Sequence, residues 1–286
     1  MNSRTLSRLM CAVPLLVISG CCGGSSGGGS EPPAQGQGPT KQRAVVPRVD
    51  NATFTKSLGE DMTPRGSTTE FYPQERVNLS VAFKGRPRQG VVKASFFYHD
   101  HQIAEAQTDF ALANSGLIFS VGSSTYVGFW LAHDAPLAIS DAYRVAVTVD
   151  DESAGEYPFK VVPPPGAIPS KIRAAALAKG VTPEQAPIEE TTSFSVPDLV
   201  HLVGRADLGE QSWIEVNWYA NDQLIETATR NLTATKNTAD TTFFFTARPE
   251  GGWPTGHHKA VLTLDDREAG TYQFTVDVPD AGPPSG

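Results

Sequence analysis

The sequence predicts an all-β protein, two antiparallel β-sandwiches in tandem behind a leading stretch with no strand pattern. Three observations carry this. From about residue 47 onward, apolar and aromatic residues alternate with polar ones at a period of two, as half-buried strands require. Clusters of Asp, Asn, Ser and Gly interrupt the alternation where hairpin turns would fall. The region also repeats itself: Val149 to Val161 recurs as Leu264 to Val276, with seven of thirteen positions identical and no gap. Tyr98-His-Asp-His-Gln-Ile-Ala-Glu105 matches Tyr219-Ala-Asn-Asp-Gln-Leu-Ile-Glu226, and Thr68-Thr-Glu-Phe71 with Val77 and Leu79 matches Thr191-Thr-Ser-Phe194 with Val200 and Leu202. In chain order the offsets fall from 123 to 121 to 115, so the second copy is shorter, mainly where the first has its longer Ala111 to Ser124 segment.

At the N-terminus, Arg4 and Arg8 precede an apolar run, Leu9 to Ser19, which leads into Ile18-Ser19-Gly20-Cys21. The run is too short to span a bilayer, which takes roughly 20 apolar residues, and Pro14 disfavours helix within it. A basic start, a short apolar core and small residues at its end are the parts of a cleaved signal. The tetrapeptide resembles the lipobox of bacterial lipoproteins, where a peptidase cuts before the cysteine and the new N-terminus is acylated. That resemblance implies a signal peptide over residues 1–20, lipidation of Cys21 and a membrane as partner of the lipid. Ordinary secretion is the alternative. Cys22 is not Asp, which in Gram-negative lipoproteins resembling this one implies the outer membrane, on its periplasmic or surface face. All three cysteines (Cys11, Cys21, Cys22) lie in or beside the signal, so the strand-forming region has none for a disulfide, a thiolate metal site or a nucleophile. Residues 21–46 are rich in Gly and Ser, then in Gln, Gly and Pro. They are expected to be a disordered tether with an r.m.s. length of roughly 25 to 30 Å.

The first copy is expected over residues 47–162. Val145, Val147 and Val149 alternate with Arg144, Ala146 and Thr148, and Tyr157, Phe159 and Val161 alternate with Pro158 and Lys160, two strands joined by an acidic turn. Pro158 lacks an N–H for the ladder, which places it at a sheet edge. Residues 163–168, proline-rich, form a short stiff linker. The second copy is expected over 169–280, with a disordered tail at 281–286. Its last hairpin pairs Ala260, Leu262 and Leu264 with Tyr272, Phe274 and Val276, and its middle hairpin runs from Trp213 to Tyr219, turns at Asn221-Asp222 and returns over Leu224 to Thr229. Only Lys171 to Lys179 has helix propensity, and since its counterpart Val49 to Leu58 reads as strand, an edge strand or one or two turns are expected there. About seven short strands per copy of roughly 110 residues, with Trp218 or Phe97 near the centre of a middle strand, point to a sandwich of immunoglobulin or fibronectin type III kind.

The second copy resembles the Ig-like domains found in tandem on bacterial surface lipoproteins, through Gly252-Trp253-Pro-Thr-Gly256, an alternating strand, Asp265-Asp266, Gly270, Tyr272 and Phe274. The first copy departs from this pattern, with Ala138-Ile-Ser-Asp141 in place of the Gly-Trp loop. The resemblance implies binding or spacing outside the membrane and transfers no catalytic residue.

Candidate chemistry is sparse. His99-Asp100-His101 alternates as two imidazoles on one strand face would for zinc or copper, but the repeat matches it to a hairpin turn. His257-His258 are adjacent, and point to opposite faces of a strand. Asp150, Asp151, Asp265 and Asp266, with Glu152 and Glu268, offer oxygens suited to calcium, yet they sit where turns select Asp for backbone reasons. No nucleophile elbow, no His-Glu-x-x-His and no cleft for paired carboxylates points to an enzyme, so no catalytic residue, metal or cofactor is expected. Aromatic residues are the better lead: Trp213, Trp218, Tyr219, Trp253 and Phe243-Phe244-Phe245 load the second copy. Trp218 and alternate members of the Phe run belong in the core. Trp253, between Gly252 and Pro254, is the expected exposed ring, with Trp213 as a second contact.

Loss of residues 1–20 removes two Arg and moves the formal charge from −8 to about −10. Without Lys/Arg clusters, nucleic acid is not an expected partner. The expected function is non-enzymatic: a lipid-anchored envelope protein whose sandwiches make protein contacts in adhesion, assembly or secretion. The alternatives are polysaccharide binding through Trp253 and its neighbours, or a passive spacer.

Overall fold

The computed structural model describes residues 47–112 and 116–277. The regions assigned from sequence to the signal peptide, the Cys21 lipidation site, the tether and the tail lie outside the described residues. Within them the chain is all-β, with one turn of 3-10 helix at Glu226–Ala228 and no α-helix.

The first copy contains β1 (Val49–Leu58), β2 (Pro64–Ser67), β3 (Glu70–Phe71), β4 (Val77–Lys84), β5 (Val91–Tyr98), β6 (His101–Asp109), β7 (Ile118–Val121), β8 (Ser124–Leu131), β9 (Ser140–Val149) and β10 (Glu152–Val161). They form two five-stranded sheets, β2-β1-β4-β8-β7 and β3-β10-β9-β5-β6, with β3 parallel to β10 and the other pairings antiparallel. The period-two pattern explains the core between them. Val77, Leu79, Val81 and Phe83 of β4 meet Val92, Ala94 and Phe96 of β5 and Tyr143, Val145 and Val147 of β9, all buried. Each fully buried side chain of Val, Leu or Phe size contributes about 1.5–3 kcal/mol.

The second copy repeats the plan with β11 (Lys171–Val181), β12 (Pro187–Glu190), β13 (Ser193–Ser195), β14 (Val200–Leu208), β15 (Trp213–Ala220), β16 (Gln223–Leu224), β17 (Arg230–Thr233), β18 (Thr238–Ala247), β19 (Gly256–Leu264) and β20 (Arg267–Asp277). Its sheets are β12-β11-β14-β18 and β13-β20-β19-β15-β16, with β17 also on β15. A separate core gathers Leu202, Ile214, Trp218, Phe243, Phe274 and Trp253. The likeness reaches irregularities: β1 bulges between Val49 and Asn51, and β11 between Ile172 and Ala174. The acidic hairpins turn at Asp150-Asp151, with φ of 50° and 65°, and at Asp265-Asp266, with φ of 49° and 65°. Two successive left-handed residues are what a tight two-residue hairpin demands, and Asp tolerates them.

Several sequence expectations need correction. The middle blocks align one residue differently: Phe96 faces Val145 and Trp218 faces Ala260, so Phe97 corresponds to Tyr219 and His99 to Asn221. The cation over each ring agrees, Arg144 on Phe97 and Lys259 on Tyr219. The lead-in Lys171 to Lys179 is strand and not helix, and its first part lies at an edge as expected: β14 pairs it on one side from Lys171, and β12 joins on the other only from Ala178. Packing of Leu177 and Ala178 into the core outweighs the helix propensity of its alanines. The return over Leu224 to Thr229 breaks into β16 and the 3-10 turn before β17 resumes pairing with β15. Pro158 does sit at an edge: β9 flanks it on one side, and β3 pairs with β10 only from Lys160.

Candidate functional surfaces

The acidic hairpin of the second copy is built into the junction between the sandwiches. Asp265 turns inward, where its carboxylate accepts from the Trp213 amide at 2.9 Å and the Ser212 hydroxyl at 3.0 Å. Ser212 is in turn bonded to Ser170, just after the linker, at 2.5 Å. Burial pushes the Asp265 carboxyl up, against the lowering effect of those two donors. Asp266 turns outward into the first sandwich. His99 Nε2 donates to it at 2.9 Å and the Ser140 hydroxyl donates to its other oxygen. The Trp213 indole N–H reaches the Ile139 carbonyl at 3.3 Å, and Arg267 donates to Asp141 at 3.2 Å. The Asp266 side chain is only 14% exposed. Burial first, and the Asp266 charge second, raise the Tyr98 phenol above its usual range. A cleft of about 340 Å³ beside this junction is lined by residues of both copies and of the linker, among them Ile139, Leu264 and Pro163.

The first copy holds the same turn without the same use. Asp150 caps the Val91 amide at 2.7 Å, as Asp265 caps Trp213. Asp151, the counterpart of Asp266, is 89% exposed, with the Lys93 ammonium 3.6 Å away. Neither hairpin gathers ligands for calcium, and His99 and His101 do not converge. Among the described residues no group of three or more His, Cys, Asp or Glu side chains is placed to hold a metal ion. His257 is exposed and His258 buried, on opposite faces of β19 as the alternation requires. His258 donates from Nε2 to the Pro254 carbonyl at 2.8 Å, and burial lowers its pKa.

The aromatic expectation is overturned at Trp253. Its ring is 1% exposed, packed on Phe274 at 5.1 Å and Trp218 at 6.1 Å between ring centres. The Gly-Trp-Pro segment looks like an exposed loop, but Gly251 and Gly252 take φ of 82° and 90° and fold the ring back into the core. Trp213 is half-buried and engaged with Ile139, so it serves the junction rather than a ligand. Phe243 and Phe245 are buried and Phe244 exposed, as alternation predicts.

Of the four tryptophans, Trp130 is the exposed one, at 37%. It stands on the outer face of β8 opposite Asn78, with the Arg76 guanidinium 5.8 Å from its ring. Tyr126 shares that face, and between them Met62 covers Gly128, where a Cβ would collide with its sulfur. Phe119 of β7 lies opposite Tyr126 and Val121 opposite Ser124, both exposed. The sequence carries a signal for this: Val127, Phe129 and Leu131 alternate with Tyr126, Gly128 and Trp130, so both faces of β8 are apolar and one must point outward.

No family model matches the chain. No curated protein matches it either. Among solved structures, it is similar to dimeric latent PorU from Porphyromonas gingivalis, with 11% identity over 86% of this chain and 21% of that one, at a TM-score of 0.25. A hypothetical protein from Parabacteroides merdae matches at 11% identity over 74% of this chain and 54% of that one, TM-score 0.28. A β-D-mannosidase from Dictyoglomus thermophilum matches at 9% identity over 71% and 30%, TM-score 0.25. The chain thus spans between about a fifth and just over half of these proteins' lengths.

Proposed function

We propose that this is a non-catalytic, lipid-anchored protein of the bacterial cell envelope, held at the outer membrane through Cys21. In this reading residues 21–46 are its tether, and two Ig-like sandwiches meet protein partners. The Ig-like assignment is supported by strand order. Taking β1, β4, β8 and β7 as A, B, E and D, and β5, β9 and β10 as C, F and G, each falls in the sheet that the Ig arrangement gives it.

The carrying observation is how the chemically suggestive residues are used. Asp265, Asp266, His99, Trp213, Trp253 and His258 all hold the fold or the junction together. What faces outward on the first sandwich is an aromatic strip of Trp130, Tyr126 and Phe119 with the Arg76 guanidinium over one ring, a composition suited to protein contact. A glycan-binding reading through Trp253 loses its exposed ring.

Replacing Cys21 by Ser and following the protein by membrane fractionation and intact mass tests the anchor. Release of a folded protein without acyl groups into the soluble fraction is expected. Retention in the membrane fraction with unchanged mass would overturn the anchor.

A further inference from the structure

We propose that the edge of β7 that no described strand covers is a self-association site, at which two copies of this chain pair antiparallel and join their five-stranded β2-β1-β4-β8-β7 sheets into one of ten strands. This builds on the reading of the first sandwich as the contact surface, and it does not depend on the lipid anchor.

A free sheet edge presents a row of unpaired backbone groups, and proteins that must stay apart guard such edges with charges or prolines. The other described edge strands of four or more residues are guarded: β2 and β12 each hold a proline and a charge, and β6, β17 and β18 hold charges. β7, Ile-Phe-Ser-Val, has neither. Residues 116–131 contain no charged side chain at all, in a chain with a formal charge of −8. Arg86 reaches one end of this strip, donating to the Gly122 carbonyl at 3.4 Å, and Arg76 reaches the other, over the Trp130 ring; between them two copies approach with no charge of their own strands opposed.

The strand pattern is also self-complementary. A two-fold axis through Ser120 sets Phe119 of one copy opposite Val121 of the other, and Val121 opposite Phe119, both exposed residues on the outer face. Aromatic and β-branched residues facing each other across antiparallel strands form favourable pairs. Each Phe119 already faces Tyr126 of its own β8, so the pairing brings the two Tyr126–Trp130 rows into a continuous band. In this register Phe119, Ser120 and Val121 of the two copies pair and Ile118 falls opposite Gly122, a short ladder, so the association is weak and concentration-dependent.

The test is sedimentation equilibrium of the purified full chain across a concentration series, under reducing conditions so that Cys22 forms no disulfide. A reversible monomer–dimer equilibrium is expected. Val121→Lys, and separately Phe119→Lys, should raise the dissociation constant at least tenfold with circular dichroism unchanged. Phe244→Lys, an equally exposed change on the second sandwich, should leave it alone. A chain monomeric at every concentration overturns the proposal, as does a dimer indifferent to both β7 substitutions. A dimer that persists while Cys21→Ser fails to release the protein overturns the anchor alone.

Discussion

The two sandwiches share a strand plan and differ in where they put their aromatic rings. The second buries Trp218, Trp253 and Phe274 around His258 at one end of its core. The first fills the equivalent end with Phe54, Phe71, Tyr143 and Phe159, and keeps Trp130, Tyr126 and Phe119 on the outside of a sheet. Their acidic hairpins differ in the same spirit, since Asp266 is locked into its neighbour while Asp151 points to solvent. Duplicated folds keep the backbone solution and spend their side chains separately. Here the second copy turns its tryptophans into its core or into the junction, and the first leaves one on its surface.

The largest expected contrast is between two tryptophans. Trp253→Ala removes a fully buried ring and should destabilise the second sandwich by about 3–5 kcal/mol in urea unfolding. Trp130→Ala should cost about 0.5 kcal/mol or less. Equal losses at the two positions would erase the proposed difference.

The hairpins give the next contrast. Asp265→Ala leaves the Ser212 hydroxyl and Trp213 amide without their acceptor and should cost about 1–3 kcal/mol. Asp150→Ala, at an exposed cap, should cost less. The measurement is thermal unfolding of both variants side by side.

A pH series sharpens the comparison further. His258 and Tyr143 occupy equivalent core positions. Burial lowers the His258 pKa, so the unfolded chain binds the proton first as pH falls below about 6.5. Stability from this group is therefore complete above that value and is lost from there down toward the depressed folded pKa. Burial raises the Tyr143 phenol instead, which leaves it neutral throughout this window. The second sandwich should weaken between pH 7 and pH 5 more than the first, and His258→Phe should reduce the difference. An unaltered pH slope in that variant would assign the effect to other groups, His201 first, whose pKa burial also lowers.

A small effect on stability is expected at the junction between the sandwiches. Asp266→Ala should change unfolding by roughly 1 kcal/mol or less, because His99 is half exposed. It should nevertheless loosen the sandwiches relative to one another, which small-angle scattering would register as a broader distance distribution.

The all-β class and the repeat were legible because hairpins impose Asp and Gly on backbone grounds, and those letters survive in both copies. The middle block was misread by one residue because the identity of Tyr98 with Tyr219 outweighed the alternation that pairs Phe96 with Trp218. Trp253 was misplaced because local composition does not say which way a glycine-hinged loop folds. The junction was invisible for a different reason. His99, Ser140 and Asp266 lie far apart in sequence, and only the packing of one copy against the other brings them together.

The division between a buried and an outward-facing set of aromatics is most directly tested by hydroxyl-radical footprinting of the full chain, read at each tryptophan by mass spectrometry. Trp130 should oxidise fastest, Trp213 more slowly, and Trp218 and Trp253 least. Oxidation of Trp253 at the rate of Trp130 would contradict the account.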